Sequence, residues 1–273
     1  MVDPDAVKAE QRAFYAGGDY SWLSRWFMPA AEDLVAAAGV GPGDRVLDVA
    51  AGDGNVAVAA ARRGARVTAV DLTPEQVEAG RARTEAEGLA VTWVTGDAEA
   101  LPVLDASFEH VLSAFGVMYA PRPEVAAAEL FRAVAPGGTV GVVAWPPGGF
   151  NARLYEAAAP FLSADEEGRE DGDAAPSPED WGDALTVRRL LAADGAGVEV
   201  VTGVVSRQAA SAAAFWREAA ANVPVLQAMR GMLSDADFAA FGEAYQRITA
   251  ECARRDGDGI RLDITYTRAL ARR

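Results

Sequence analysis

The stretch Val46-Leu47-Asp48-Val49-Ala50-Ala51-Gly52-Asp53-Gly54-Asn55 decides the fold. It is an apolar, β-branched run that ends in an acid and two glycines and opens at once into a helical pattern. Small residues at positions 50, 51, 52 and 54 let the backbone approach a ligand closely. The N–H groups at a helix start favour a negatively charged or strongly accepting group, so a nucleotide-like ligand is implied. Gly52-x-Gly54-x-x-Ala57 also fits the dinucleotide fingerprint, so this loop alone leaves the ligand open between a dinucleotide and another nucleotide.

Working outward, short β-branched runs alternate with amphipathic stretches between about residues 45 and 145, the pattern of a parallel sheet wrapped by helices. The predicted strands are Arg45–Ala50, Arg66–Asp71, Val91–Thr95, Phe108–Ser113 and Thr139–Trp145. The predicted helices are Asn55–Arg63, Pro74–Glu87 and Glu124–Val134, stopped by Gly64, Gly88 and the Pro136-Gly137-Gly138 turn. Before this core, Pro4–Ala16 and Ser21–Ala38 read as helices dense in aromatic residues, a cover over residues 1–40. Residues 41–150 form the ligand-binding core, and residues 151–273 complete the sheet and add helices within the same structural domain. In that last part Asn151–Leu162, Leu185–Ala192, Ala209–Met232 and Asp235–Arg254 read as helices, and Val198–Ser206 and Ile260–Leu270 as strands. Ala164–Gly182, acidic and rich in Gly, Pro and Ser, is expected to be mobile.

Composition narrows the function. The chain has 273 residues, 51% of them hydrophobic, enough to bury a core without disulfides or structural metal. Cys252 is the only cysteine, which excludes an internal disulfide and a cysteine metal cluster and fits a reducing compartment. No metal is expected. The start MVDPDAVKAEQRAF lacks the charge and apolar pattern of a secretory signal, and no apolar run reaches about 18 residues, so a cytoplasmic protein without a membrane partner is expected. Forty acidic against 25 basic residues, a net charge of −15, argues against nucleic acid and for a small-molecule partner.

Two further acids sharpen the ligand. Asp71 closes the second strand 17 residues after Gly54, where a carboxylate can accept both hydroxyls of a ribose, whether of NAD or of an adenosyl ligand. Thr73 before Pro74-Glu75-Gln76 is expected to cap the next helix, with Gln76 at the capping-box position. The third strand ends in Gly96-Asp97-Ala98, where an acid can accept from the exocyclic amine of adenine and the Ala98 backbone can serve a ring nitrogen. With VLDVAAGDGN (46–55), VTAVDLTPEQ (67–76), VTGDAEALP (94–102), SFEHVLSAFGVMYAP (107–121) and LFRAVAPGGTVGVVAW (130–145) in order, the chain resembles the class I S-adenosylmethionine-dependent methyltransferases. It is similar in particular to their small-molecule branch of menaquinone and ubiquinone methyltransferases.

That resemblance implies an α/β fold: a Rossmann-like, seven-stranded, mostly parallel sheet with helices on both faces, an N-terminal helical cover and a C-terminal helical insertion. It implies S-adenosyl-L-methionine as cofactor and a small-molecule methyl acceptor on O, N or C. Asp48, Ala50, Gly52 and Gly54 would hold the methionine part, Asp71 the ribose, Leu72 the adenine face, and Asp97 and Ala98 the adenine edge. Gln76 belongs to the same cofactor set, and the main chain from Ser113 to Phe115 would receive the cofactor's amino group. Ala50 stands where the family often has glycine, and His110 where it has an apolar residue.

Methyl transfer from a sulfonium is an in-line displacement that needs alignment and a dry pocket rather than a covalent intermediate. His110, the sole histidine, falls inside a strand and is expected to be structural, which leaves no histidine base. The candidate catalytic residues are Tyr119 and Trp145, whose polar tips could orient an acceptor, with Phe115, Met118 and Phe150 nearby. Tyr15, Tyr20 and Trp22 are expected to close over the cofactor, and Phe215, Trp216, Met229 and Met232 to build a far wall. Two alternatives stay open at this level. One is an NAD(P)-dependent oxidoreductase, against which Asp97 and the lack of a Tyr-x-x-x-Lys pair both speak. The other is a non-catalytic S-adenosylmethionine-binding partner protein.

Overall fold

The computed structural model describes residues 3–17, 19–162, 177–192 and 197–273. The chain opens with α1 (Pro4–Ala16), capped by the Asp3 side chain with Pro4 in the first turn, and α2 (Ser21–Ala37). The core then alternates β1 (Arg45–Val49), α3 (Asn55–Ala61), β2 (Arg66–Asp71), α4 (Pro74–Ala86), β3 (Val91–Thr95), β4 (Phe108–Ala114), α5 (Pro123–Ala133) and β5 (Val134–Ala144). The remainder supplies α6 (Phe150–Leu162), α7 (Ala184–Leu190), β6 (Val198–Ala209), α8 (Ala212–Asn222), α9 (Pro224–Met232), α10 (Asp235–Cys252), β7 (Ala253–Asp256) and β8 (Gly259–Arg272).

The strands form one sheet in the order β3-β2-β1-β4-β5-β8-β6, with β7 pairing β8 off this path. The first five are parallel, and β8 runs antiparallel between β5 and β6. Helices flank the sheet, and the central strands read as the near-continuous apolar runs that burial on both faces demands: Val46, Leu47, Val49, Val111, Leu112, Val140, Val142 and Val143 are all buried. The order reverses at β1, where β2 lies on one side and β4 on the other, and a ligand crevice opens beyond the carboxyl ends of strands at such a switch point.

Several expected boundaries move. The predicted helix Ala209–Met232 is two helices: Val223 is extended at φ −90°, ψ 115°, and Pro224 starts α9, because a proline disfavours helical geometry in the residue before it. The predicted helix Asp235–Arg254 stops at Cys252, and the chain continues as β7, the one strand beyond the expected seven, which turns back through Gly257, at φ 57°, into the expected strand β8. Of the stretch expected to be mobile, residues 164–176 lie outside the described residues. Ser177–Gly182 instead forms a capped 3-10 turn with Trp181 fully buried and the Gly182 carbonyl accepting from Thr267 Oγ1 at 2.6 Å.

Candidate functional site

The loop between β1 and α3 is bent by three residues in the left-handed region, Ala50 at φ 52°, Gly52 at φ 56° and Gly54 at φ 90°. Ala50 therefore carries a strain that glycine would not. Gly54 caps α3, and a Cβ there would lie 2.8 Å from the Trp93 ring. The loop after β4 crosses on top: a Cβ on Gly116 would meet the Ala50 carbonyl oxygen at 2.1 Å. Arg83 of α4 clamps the loop from outside, ion-paired with Asp53 at 3.1 Å and donating to Asn55 Oδ1 at 3.0 Å and the Asp53 carbonyl at 3.3 Å. Ser24 of α2 donates to Asp53 at 2.7 Å.

Two carboxylates hold the loop from beneath. Asp48, fully buried, accepts from the Ala57 N–H at 2.8 Å, and burial pushes its carboxyl up to about 8. Asp71 accepts from the Gly52 N–H at 2.7 Å and the Thr73 N–H at 2.9 Å, and burial raises its carboxyl above the ordinary range against the pull of those donors. Thr73 stands at the N-cap of α4, but its side chain does not cap the helix: Gln76 Nε2 instead donates to the Tyr15 carbonyl at 3.0 Å, tying α4 to α1. The expected capping box is thus replaced by an inter-helix bond.

A cavity of about 580 Å³ opens over these strand tips. Of the ten expected cofactor residues, Asp48, Ala50, Gly52, Asp71, Leu72, Gln76, Asp97 and Ala98 line it. Gly54 and Ser113 do not. Gly54 serves the turn and the Trp93 contact, while Ser113 is fully buried and its Oγ accepts from the Val117 N–H at 3.0 Å. Of the expected Ser113–Phe115 stretch, Ala114 and Phe115 do reach the cavity wall, followed by Gly116.

The other end of the cavity is aromatic. Tyr119 and Trp145 both line it, with Trp145 stacked on Phe115 at 3.8 Å between ring centroids and Phe27 edge-on at 4.9 Å. Tyr119 shares a 2.9 Å hydrogen bond with Tyr155, and its burial raises the phenol far above its usual range, so it stays protonated and does not act as a base. Phe150 is on the wall, whereas Met118 is core. From the expected far wall only Met229 reaches the cavity, joined by Leu226, Phe241 and Tyr245; Phe215 and Trp216 pack behind, and Met232 is exposed. From the cover, Tyr15 and Tyr20 line the cavity, whereas Trp22 lies off the wall against Trp26, with Arg207 over both rings. His110 sits at the opposite end of the sheet, near the start of β4 and 3.3 Å from Asp44 ahead of β1, as a structural residue should.

Two residues that matter to the site escaped the sequence reading. Lys8 of α1 lines the cavity and pairs with Asp97 at 2.7 Å and Glu99 at 2.5 Å, while Arg122 holds Glu99 from the other side at 2.7 Å. The signal was present: Lys8 is the only lysine in an acidic, arginine-rich chain. Arg83 gave no such signal. No cluster of His, Cys, Asp and Glu suited to a metal ion occurs among the described residues, and none of their helices is long and apolar enough to cross a membrane.

A glycine loop at the switch point of a parallel sheet, with acids at the tips of the next two strands, defines a nucleotide-cofactor α/β enzyme. Residues 46–138 match the methyltransferase domain family. An uncharacterised protein of Mycobacterium tuberculosis is 40% identical over 207 residues, covering 74% of this chain and 72% of that one. A demethylmenaquinone methyltransferase of Thermus thermophilus is 35% identical over 170 residues, covering 56% of this chain and 74% of that one. Among solved structures, the YcgJ protein of Bacillus subtilis superposes with a TM-score of 0.58 at 16% identity, covering 89% of this chain and 98% of that one, which speaks to the fold. The chain belongs to the class I S-adenosylmethionine-dependent methyltransferases and uses S-adenosylmethionine as its cofactor. The nicotinamide alternative falls with that membership.

Proposed function

We propose that the protein moves the methyl group of S-adenosylmethionine to a small molecule held in the aromatic end of the cavity. The observation that carries this reading is that one cavity joins the tips of β1, β2 and β3 to the Phe115, Trp145 and Tyr119 wall. The chain's own residues fit the cofactor. Asp71 keeps lone pairs beyond its two main-chain bonds for ribose hydroxyls, and Asp97 accepts from the adenine amine while Leu72 and Ala98 flank the ring. The Ala50–Asp53 loop and Asp48 form the methionine end. Tyr20 Oη, buried on the same wall without a hydrogen-bond partner among the described residues, is a donor for which a bound ligand supplies the missing acceptor.

When bound, the cofactor supplies an electrophilic methyl on a sulfonium. The residues' part is alignment and exclusion of water: Phe27, Phe115 and Trp145 keep the transfer path dry, and Tyr119 with Tyr155 orients the acceptor through a hydroxyl that keeps its proton. With His110 remote, any base comes from the acceptor itself or a carboxylate on the wall.

Calorimetry with S-adenosylhomocysteine and transfer of labelled methyl to a panel of organic-extractable acceptors test this. Binding is expected, weakened about tenfold by Asp71→Asn through a lost charge-assisted hydrogen bond. Equal affinity in the variant would refute the ribose assignment, and labelling of no small molecule would refute the acceptor class.

A further inference from the structure

Four side-chain carboxamides line the cavity: Gln11, Asn55, Gln76 and Asn151. Three have work within the protein. Gln11 Nε2 donates to the Tyr119 carbonyl at 2.7 Å, Asn55 Nδ2 to the Ser24 carbonyl at 2.7 Å, and Gln76 Nε2 to the Tyr15 carbonyl at 3.0 Å. Asn151 Nδ2 is buried and has no hydrogen-bond partner among the described residues. A buried donor left unpaired is costly, and native structures rarely keep one that nothing will satisfy.

Its surroundings say what satisfies it. Asn151 lies in the first turn of α6, whose other cavity-lining residues are Phe150, Leu154, Tyr155 and Ala158, in a wall that also includes Leu226 and Phe241. Five charged residues line the cavity among the described residues, Lys8, Asp48, Asp53, Asp71 and Asp97, and all belong to α1 or to the strand tips. The one cation among them, Lys8, is already held by Asp97 and Glu99. A carboxylate or phosphate at the α6 end would therefore lie in an apolar wall without a counter-charge, a severe penalty. An uncharged oxygen meets no such penalty and takes the free N–H.

We propose that Asn151 is an acceptor-recognising residue, donating from Nδ2 to an uncharged carbonyl, hydroxyl or ether oxygen on an otherwise apolar methyl acceptor. This rests on the acceptor occupying the aromatic end of the cavity, as in the function proposed above. The oxygen on Asn151 marks how the acceptor is held and need not be the atom that receives the methyl.

The test uses the full chain saturated with S-adenosylhomocysteine and three probes of one shape, titrated calorimetrically. They are 2-acetylnaphthalene with an accepting oxygen, 2-isopropylnaphthalene with none, and 2-naphthoate with a charge. The ketone is expected to bind about tenfold more tightly than the hydrocarbon, and the carboxylate more weakly than either. In Asn151→Leu the preference for the ketone collapses to about equality, while S-adenosylhomocysteine affinity in the same titration reports an intact cofactor site. Should that variant fail to fold, Asn151→Ala reads the same ratio. A ketone preference that survives both substitutions, a carboxylate that binds best, or no binding of either neutral probe overturns the assignment. Failure of the wild-type protein to bind S-adenosylhomocysteine overturns the parent reading instead.

Discussion

Asp48 sits at the root of the glycine loop with its carboxyl sealed from water. Burial pushes it up to about 8, the nearby charges of Asp71 and Asp53 add to the rise, and the Ala57 N–H and Arg83 oppose it. The sign of the pH dependence follows. An acid whose folded pKa exceeds its unfolded one contributes stability that is complete below about pH 4 and lost as pH climbs through about 8. In the free protein Asp48 is thus expected to hold its proton at neutral pH, and a positively charged cofactor seated beside it, as proposed above, is expected to drive that proton off. Affinity for S-adenosylmethionine is expected to climb with pH from 6 toward a plateau above about 8, approaching tenfold per unit on the rise. Asp48→Asn removes this share of the slope, and an identical slope in wild type and variant, measured by titration from pH 6 to 9, counts against the linkage. Residues such as Asp48, Asp71 and Asp97 were legible because an acid at the carboxyl end of a β-run announces itself locally. Gly54 and Ser113 lie off the cavity wall for the complementary reason: position in a motif fixes the backbone path but not which atoms reach the cavity. Tyr119, Trp145 and Phe150 were found through their place after strands, while the free amide of Asn151 depends on what surrounds it in space.

At the scale of the element, α1 shows how much of a site can hang on one helix that the sequence marks only as a cover. Asp3 and Pro4 start it, and the sequence reading and the structure agree on Pro4–Ala16. What the sequence could not supply is where it docks, because its partners are more than 60 residues away: Asp97 and Glu99 for Lys8, Tyr119 for Gln11, and Gln76 for the Tyr15 carbonyl. Lys8 is buried, and its ammonium is held above its usual pKa by the two carboxylates, which outweigh the desolvation that lowers it. Removing one member of a buried ion pair is costly because its partners lose their counter-charge, although Glu99 keeps Arg122. Lys8→Met is therefore expected to loosen α1, speeding exchange of its amide hydrogens at least about tenfold while β1 amides keep their protection, and to weaken S-adenosylhomocysteine binding. Unchanged exchange along α1 would show that its aromatic contacts, Tyr15 with Tyr20 and Tyr119, hold it without the lysine. Other elements were legible in proportion to how local their signals are. Pro224 carried the break between α8 and α9 in plain view, whereas β7 is only four residues long and exists by pairing with β8.

For the whole molecule, the first five strands could be read because each βαβ unit is a local alternation, and their parallel order follows from the crossovers between them. The antiparallel edge is different in kind: β8 joins β5 through pairs such as Thr139 with Arg272, more than 130 residues apart, and only the sheet as built shows that register. The cavity inherits this long-range character, since its wall runs from Lys8 in the cover through the strand tips to Ile264 in β8. A ligand that fills it bridges the cover, the core and the C-terminal helices, and so stabilises the folded molecule as a unit. At a hundred times its dissociation constant S-adenosylhomocysteine adds about 2.7 kcal/mol, which for a protein of this size raises Tm by about 5–10 °C. NADH at the same concentration is expected to leave Tm unmoved, because among the described residues the only cation lining the cavity, Lys8, is already paired with Asp97 and Glu99, and the aromatic end offers none to a pyrophosphate. Scanning calorimetry with the two ligands in parallel decides the point. A rise with NADH and none with S-adenosylhomocysteine would mean that the strand tips grip a different nucleotide from the one their order and chemistry imply.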